Sequence, residues 1–169
     1  MNRFICYTYT EGGCLKTLLV IVSFFSLLAT GVAGAGPAGK CSPTEPDALG
    51  PFYKPDAPVR QSVGSGYLLS GTVQSSADCK AVPNAGIEFW LANPSGEYDD
   101  NHRATVYSGE KGTYLFESSF PPPYYGRPSH IHIRVTAKGF KTLITQHYPQ
   151  AGSKKGVFDL VLVPDSGSR

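Results

Sequence analysis

From residue 67 to residue 163 the chain is a succession of seven short segments, separated by Gly-, Pro-, Ser- or Asp-bearing turns, that read as β-strands. A period of two sends successive side chains to opposite faces of a strand, so each segment has one face to bury. The segments are 67–73, 85–92, 105–107, 113–117, 130–136, 142–146 and 157–163. The clearest is 85–92 (AGIEFWLA), where Ile87, Phe89 and Leu91 share a face. Residues 108–112 (SGEKG) read as a hairpin-like turn that lets 113–117 pair back on 105–107. Beyond residue 35 no stretch carries a 3.6-residue period, and no internal repeat is visible. This pattern predicts an all-β fold: an immunoglobulin-like, antiparallel β-sandwich of seven to eight strands. The 19 Gly and 14 Pro supply its turns. Residues 36–60, rich in Pro, Gly and polar residues, are expected to run as an irregular N-terminal arm across the domain.

Residues 1–35 have a different character. Leu18 to Leu28 is an apolar run of eleven, preceded by Arg3 and Lys16 and followed by Ala33-Gly34-Ala35. That is the layout of a signal peptide, with an uncleaved anchor as the alternative; residues 36–169 then form a single domain. The expected location is exported, secreted or periplasmic, with membrane contact only if the leader is retained. Beyond the leader, Cys41 and Cys79 are the only cysteines. In an exported domain they invite a disulfide; two thiols are the other reading. A net charge of +2 without a Lys/Arg cluster argues against a nucleic-acid partner.

The sharpest local signal is His130-Ile131-His132. Residues two apart on a strand project together, so both imidazoles share one face while Ile131 and Ile133 point to the core. Such a pair is half of a metal site, but the motif alone equally fits a solvated strand face. Directly upstream lies a Pro-rich loop, residues 120–129, that carries Tyr124, Tyr125 and Arg127. Pro removes backbone donors and restricts its neighbours, so this segment is not helical. Tyr98 sits in another loop, after the 85–92 strand. With ten Tyr in the chain, packing or an ordinary hydrogen bond accounts for any one of them taken alone. Trp90 reads as core, Asp99 and Asp100 as makers of turn hydrogen bonds, and His102 as a solvated loop residue.

Several motifs, taken together and in order, resemble the intradiol ring-cleavage dioxygenases of the catechol and protocatechuate type. They are GPFY at 50–53, SGTV at 70–73, IEFWLANPSGEYD at 87–99, GTYLFE at 112–117, PPYYGRPSHIH at 122–132 and LITQHY at 143–148. The resemblance runs from about Thr44 to Val163 and is strongest to the short, exported branch, which lacks a helical dimerisation segment. It implies one Fe(III) per chain, held by Tyr98, Tyr124, His130 and His132, with Tyr125 as the alternative to Tyr124. It assigns Arg127 and Gln146, together with Tyr124, to catalysis, and makes Pro51 and Phe52 candidates for lining the substrate pocket. His147 and Pro149 depart from the family's usual ending of that strand and are candidates for reshaping the pocket.

The implied chemistry suits the residue types. Phenolate and imidazole are fitting donors for Fe(III), and a free phenol ionises only near pH 10, so a strong Lewis acid is needed to make it a ligand. The resemblance implies that a catechol displaces Tyr124, which takes up a proton, while Tyr98, His130 and His132 stay in place. O2 then attacks the substrate, the bond between the hydroxyl-bearing carbons breaks, and a muconic acid derivative forms. Arg127, permanently charged, faces the developing negative charge. The expected partners are therefore small catechols and O2, and a monomer is the simplest assembly. For a carboxylated catechol, Arg60, Arg103 and Arg134 are further candidate cations. The rival of a different class is an exported β-sandwich that binds a metal or ligand without turnover. Such a binder has no need of a fixed cation like Arg127 beside its ligands.

Overall fold

The computed structural model describes residues 41–167; the expected signal peptide or anchor lies outside the described residues. Eight strands form two four-stranded sheets packed as a sandwich. They are β1 (Tyr67–Ser75), β2 (Gly86–Trp90), β3 (Arg103–Tyr107), β4 (Thr113–Ser118), β5 (Ile131–Thr136), β6 (Leu143–His147), β7 (Lys155–Val157) and β8 (Leu160–Leu162). One sheet has the order β4-β1-β7, with β8 also paired to β1; the other has the order β3-β2-β5-β6. The expected all-β sandwich is the fold that forms.

Its core follows from the alternation. Ile87 and Phe89 of β2 and Ile131, Ile133 and Val135 of β5 are fully buried between the sheets, against Leu69, Phe116 and Leu160. Phe89 stacks on Phe116 with ring centroids 4.2 Å apart. Each such side chain contributes about 1.5–3 kcal/mol when removed from water. Cys41 and Cys79 form a disulfide across a sequence separation of 38. Closing a loop of that length stabilises the fold by about 4 kcal/mol on the chain-entropy account.

Two local expectations are corrected. Residues 113–117 do not pair back on 105–107: β3 pairs with β2, and β4 pairs with β1 in the other sheet. The chain crosses between the sheets at Ser108. Its buried hydroxyl accepts from Ala85 N and donates to Val82 O, so the turn is tied to β2's approach rather than to a hairpin partner. The expected strand 157–163 is broken into β7 and β8, both parallel to β1. At the break, Asp159 Oδ1 accepts from Thr72 N at 2.8 Å, taking the place of a ladder carbonyl. The carbonyl of Phe158 lies over Gly71, where an added Cβ would collide with it. Only glycine admits that approach.

The arm positions the site. Thr44 N donates to Val161 O and Asp47 N to Ile144 O, so the arm joins the β8 and β6 edges of the two sheets. It then reaches β3, where Thr105 N donates to Pro58 O and Arg60 N to Thr105 O. Residues 48–57 thereby pass from the β6 edge to the β3 edge of the second sheet.

Candidate metal centre

Strand pairing lines up Trp90, His132 and Gln146 in one row across β2, β5 and β6. Their neighbours Phe89 and Ile133 face the core, so this row faces outward, where the arm crosses. His130 lies one residue before β5 and shares that side. Both imidazoles are nonetheless buried, at 3% and 2% exposure, which excludes the solvated strand face. Trp90 stacks on His132, with centroids 4.9 Å apart and an interplanar angle of 3°. It is buried as expected, yet it packs on a candidate ligand rather than in the intersheet core.

The two histidines are prepared differently. His130 Nδ1 lies 2.7 Å from Pro128 O, and a carbonyl only accepts, so the ring proton is on Nδ1. Nε2 then carries a lone pair, and it meets the Tyr98 hydroxyl at 3.1 Å. His132 Nδ1 is buried and makes no close hydrogen bond, although the backbone of Ala48 interacts with the ring. Burial, with His130 beside it, pushes the His132 imidazole down to about 4, so it is neutral at pH 7. Gly50, at φ +74°, lets the arm pass directly over this ring: a Cβ there would come within 2.8 Å of His132 Cε1.

Tyr98 is delivered by a loop locked on Asn93, whose Oδ1 accepts from Ser95 N and Glu97 N. Asp99 follows and caps the 3₁₀ turn Asp100–His102 by accepting from Asn101 N and His102 N. His102 is not solvated as expected: its Nδ1 is 2.8 Å from Asp99 Oδ1 and its side chain is 17% exposed. Burial raises the Asp99 carboxyl, but hydrogen bonds from His102 and Asn93 outweigh it and hold the group at about 2. The Tyr98 ring stacks on Phe52, with centroids 4.3 Å apart. Burial, reinforced by Tyr124 and opposed by Arg127, pushes the Tyr98 phenol up to about 12. Without a metal it stays protonated and donates to His130.

Tyr124 and Tyr125 are told apart by a tight turn. Tyr124 N donates to Arg127 O and Arg127 N to Tyr124 O, with Tyr125 at φ +43° and Gly126 at φ +76° between them. Two successive positive φ values make a two-residue hairpin loop of the primed type, unexpected for a Tyr at its first position. Tyr124 meets Tyr98 edge-on at 5.3 Å and Phe52 at 5.6 Å. Tyr125 is 89% exposed, at the rim. Pro51, Phe52, Tyr98, Tyr124, Tyr125, Arg127, His130 and His132 together line a cleft of about 300 Å³. That is the lower end of small-molecule sites.

Arg127 Nη2 donates to Gln146 Oε1 at 2.8 Å and to Tyr148 Oη at 3.0 Å. Tyr148 closes the LITQHY motif but carries no expected role there; its position two residues past Gln146 is the only signal for it. The other candidate cations are engaged elsewhere. Arg60 and Arg103 bond backbone carbonyls, and Arg134 pairs with Glu88 at 2.8 Å. His147, expected to reshape the pocket, does not face it. It lies opposite Ile131, on the core side of β6, with Nε2 2.7 Å from Tyr67 Oη.

The residues present fit a ferric ion. Among the described residues no three His, Cys, Asp or Glu side chains lie close enough to hold a metal. A metal here must therefore draw on the tyrosines, and two phenols with two imidazoles form a donor set that suits Fe(III). The burial of both imidazoles beside two phenols is the further sign, because buried polar groups are costly unless used.

Similarity to known proteins runs across about seven-tenths of the chain. No family model matches the chain. It is 33% identical over 138 residues to a catechol 1,2-dioxygenase of Candida albicans, covering 59% of this chain and 45% of that protein. It is 31% identical over 156 residues to a hydroxyquinol 1,2-dioxygenase of a Rhizobium species, covering 71% of this chain and 51% of that one. The chain thus spans about half the length of these two relatives. Among solved structures, the dioxygenase domain of a dioxygenase–carbohydrate-binding protein fusion from Streptomyces sp. SirexAA-E superposes with a TM-score of 0.67 at 30% identity. That match covers 73% of this chain and 100% of that domain.

Proposed function

This chain belongs to the intradiol ring-cleavage dioxygenase family, and from that premise we propose that it cleaves catechol-type rings with O2 between the hydroxyl-bearing carbons, yielding muconic acid derivatives. Tyr98, Tyr124, His130 and His132 are the residues that would hold Fe(III). The observation that carries the reading is the Tyr98 Oη to His130 Nε2 contact of 3.1 Å, with His130 Nδ1 committed to Pro128 O. It presents a phenol oxygen and an imidazole lone pair to a common point before any metal arrives. Bound ferric iron supplies Lewis acidity, which ionises phenols and activates the ring toward O2.

The chain's own groups do the rest. Tyr124, carried on a tight turn at the cleft, is the phenol that gives way to substrate and accepts its proton. Phe52 walls one side of the cleft and excludes water. Arg127 brings a charge that cannot be lost toward the negative charge developing on the ring, and Gln146 holds it. Arg127 is the only arginine lining the cleft, and it is already engaged by two acceptors. An uncarboxylated catechol or trihydroxybenzene therefore fits better than protocatechuate. The disulfide fits an oxidising compartment, and with the apolar leader it supports export, with cleavage after Ala35.

The test is ferric loading of the purified chain, followed by visible spectroscopy and oxygen uptake with catechol, 1,2,4-trihydroxybenzene and protocatechuate. The expected result is a coloured protein whose band shifts on adding catechol and which consumes O2. A colourless, iron-free protein after loading would overturn the reading. Iron binding without oxygen consumption would leave a binding module instead.

A further inference from the structure

We infer that Tyr148 and Asp47 are positioning residues that hold the Arg127 guanidinium over the cleft, with the irregular arm acting as the part that sets the orientation; this rests on the function proposed above. Arg127 Nη2 has two side-chain acceptors, Gln146 Oε1 and Tyr148 Oη. Tyr148 Oη also lies 3.2 Å from Gln146 Oε1, a longer contact to a neutral acceptor than its 2.7 Å approach to the Asp47 carboxylate. An amide can present either its oxygen or its nitrogen, and a phenol can donate or accept. The arm decides both. Ala48 O accepts from Gln146 Nε2 at 2.7 Å, which turns Oε1 toward Arg127. Asp47 Oδ2 accepts the Tyr148 hydroxyl proton at 2.7 Å, which leaves the phenol oxygen to accept from Arg127.

Asp47 itself is held in place. Its own N–H bonds to Ile144 O on β6, and its Oδ1 accepts from Ala48 N at 2.6 Å. Two successive arm residues thus orient both acceptors of one guanidinium. Electrostatics point the same way: Asp47 is a nearby anion that balances Arg127 without occupying the cleft, since it is not among the cleft-lining residues. Arg127 sits on a loop fixed by only two backbone bonds, with positive φ at two adjacent residues. Side-chain acceptors are therefore what define where its charge lies.

The test uses the full chain loaded with ferric iron and three variants: Tyr148→Phe, Asp47→Ala and Asp47→Asn. Tyr148→Phe is expected to lower kcat for catechol about fivefold, the effect of one partly exposed hydrogen bond to a charged group. KM, iron content and the visible band should be unchanged. Asp47→Ala should match it, the double variant should be no worse than either single one, and Asp47→Asn, which keeps an acceptor, should recover most of the activity. Crystal structures of the wild type and Tyr148→Phe should show Arg127 displaced in the variant. The inference is overturned if kcat is unchanged, if it falls only in step with lost iron, or if Arg127 keeps its position without Tyr148. If the wild type itself consumes no oxygen, the proposed function fails, and the two crystal structures still decide whether Tyr148 positions Arg127.

Discussion

Two Tyr–His pairs lie on opposite faces of the same sheet. On the outer face, Tyr98 Oη meets His130 Nε2 at 3.1 Å; on the inner face, Tyr67 Oη meets His147 Nε2 at 2.7 Å. The pairs are chemically alike, and the closer one is not the site. Tyr67 and His147 are flanked by Phe120 and Phe158, and among the described residues no second imidazole is in ring contact with them. Tyr98 and His130 have His132, Tyr124 and Arg127 around one cleft. A phenol–imidazole contact becomes a candidate metal centre through the donors that converge on it and the opening that lets a ligand reach it. Sealed in apolar surroundings, the same contact only satisfies two buried polar groups.

The comparison breaks most sharply at the outer pair. Tyr98→Phe or His132→Ala is expected to weaken iron binding roughly a hundredfold or more, since even outer partners of a metal cost ten- to a hundredfold. Iron content and the visible band check this, and a variant with full colour and activity would remove that residue from the ligand set. Tyr67→Phe should leave iron binding untouched but orphan the His147 nitrogen. A stability loss of about 1–2 kcal/mol is expected, read as a lower Tm or denaturation midpoint.

Acid should then distinguish the inner pair. Burial lowers His147 from its ordinary value of 6.5, so the unfolded chain takes up this proton first. Its stability contribution is complete above pH 6.5 and is lost as pH falls toward the folded value. Thermal denaturation between pH 7 and pH 5 should show a shallower pH slope in His147→Gln than in the wild type; an equal slope would show that His147 does not carry the effect. The smallest change is expected at the rim, where Tyr125→Phe should alter stability by less than about 0.5 kcal/mol and leave the iron band in place. A lost band in Tyr125→Phe, with Tyr124→Phe unaffected, would reverse the assignment of the two neighbours.

Much of this was legible residue by residue. Alternation in 85–92 and 130–136 correctly sent Ile87, Phe89, Leu91, Ile131 and Ile133 inward, because the period-2 rule is local and its burial is decided by hydrophobicity. Asp99 makes the turn hydrogen bonds expected of it. The partner of β4 was not legible, because a glycine-bearing turn looks alike whether it closes a hairpin or crosses between sheets. The break at Phe158-Asp159 was hidden for a similar reason. Its cause is Asp159 standing in for a carbonyl opposite Thr72, a contact across 87 residues of sequence.

By itself, then, the sequence determined which faces are buried, that the chain is all-β, and that two histidines share one side of a strand. Its motifs also named the phenols and the arginine to look for. Only the tertiary structure decided that His130 and His132 are buried rather than solvated, that Tyr124 rather than Tyr125 turns toward Tyr98, and that His147 faces the core. It alone brought Asp47 and Tyr148 to Arg127. The physical reason is range: alternation and turn chemistry act between near neighbours, whereas the site is assembled by an arm and two loops whose contacts cross 19 to 101 residues of chain.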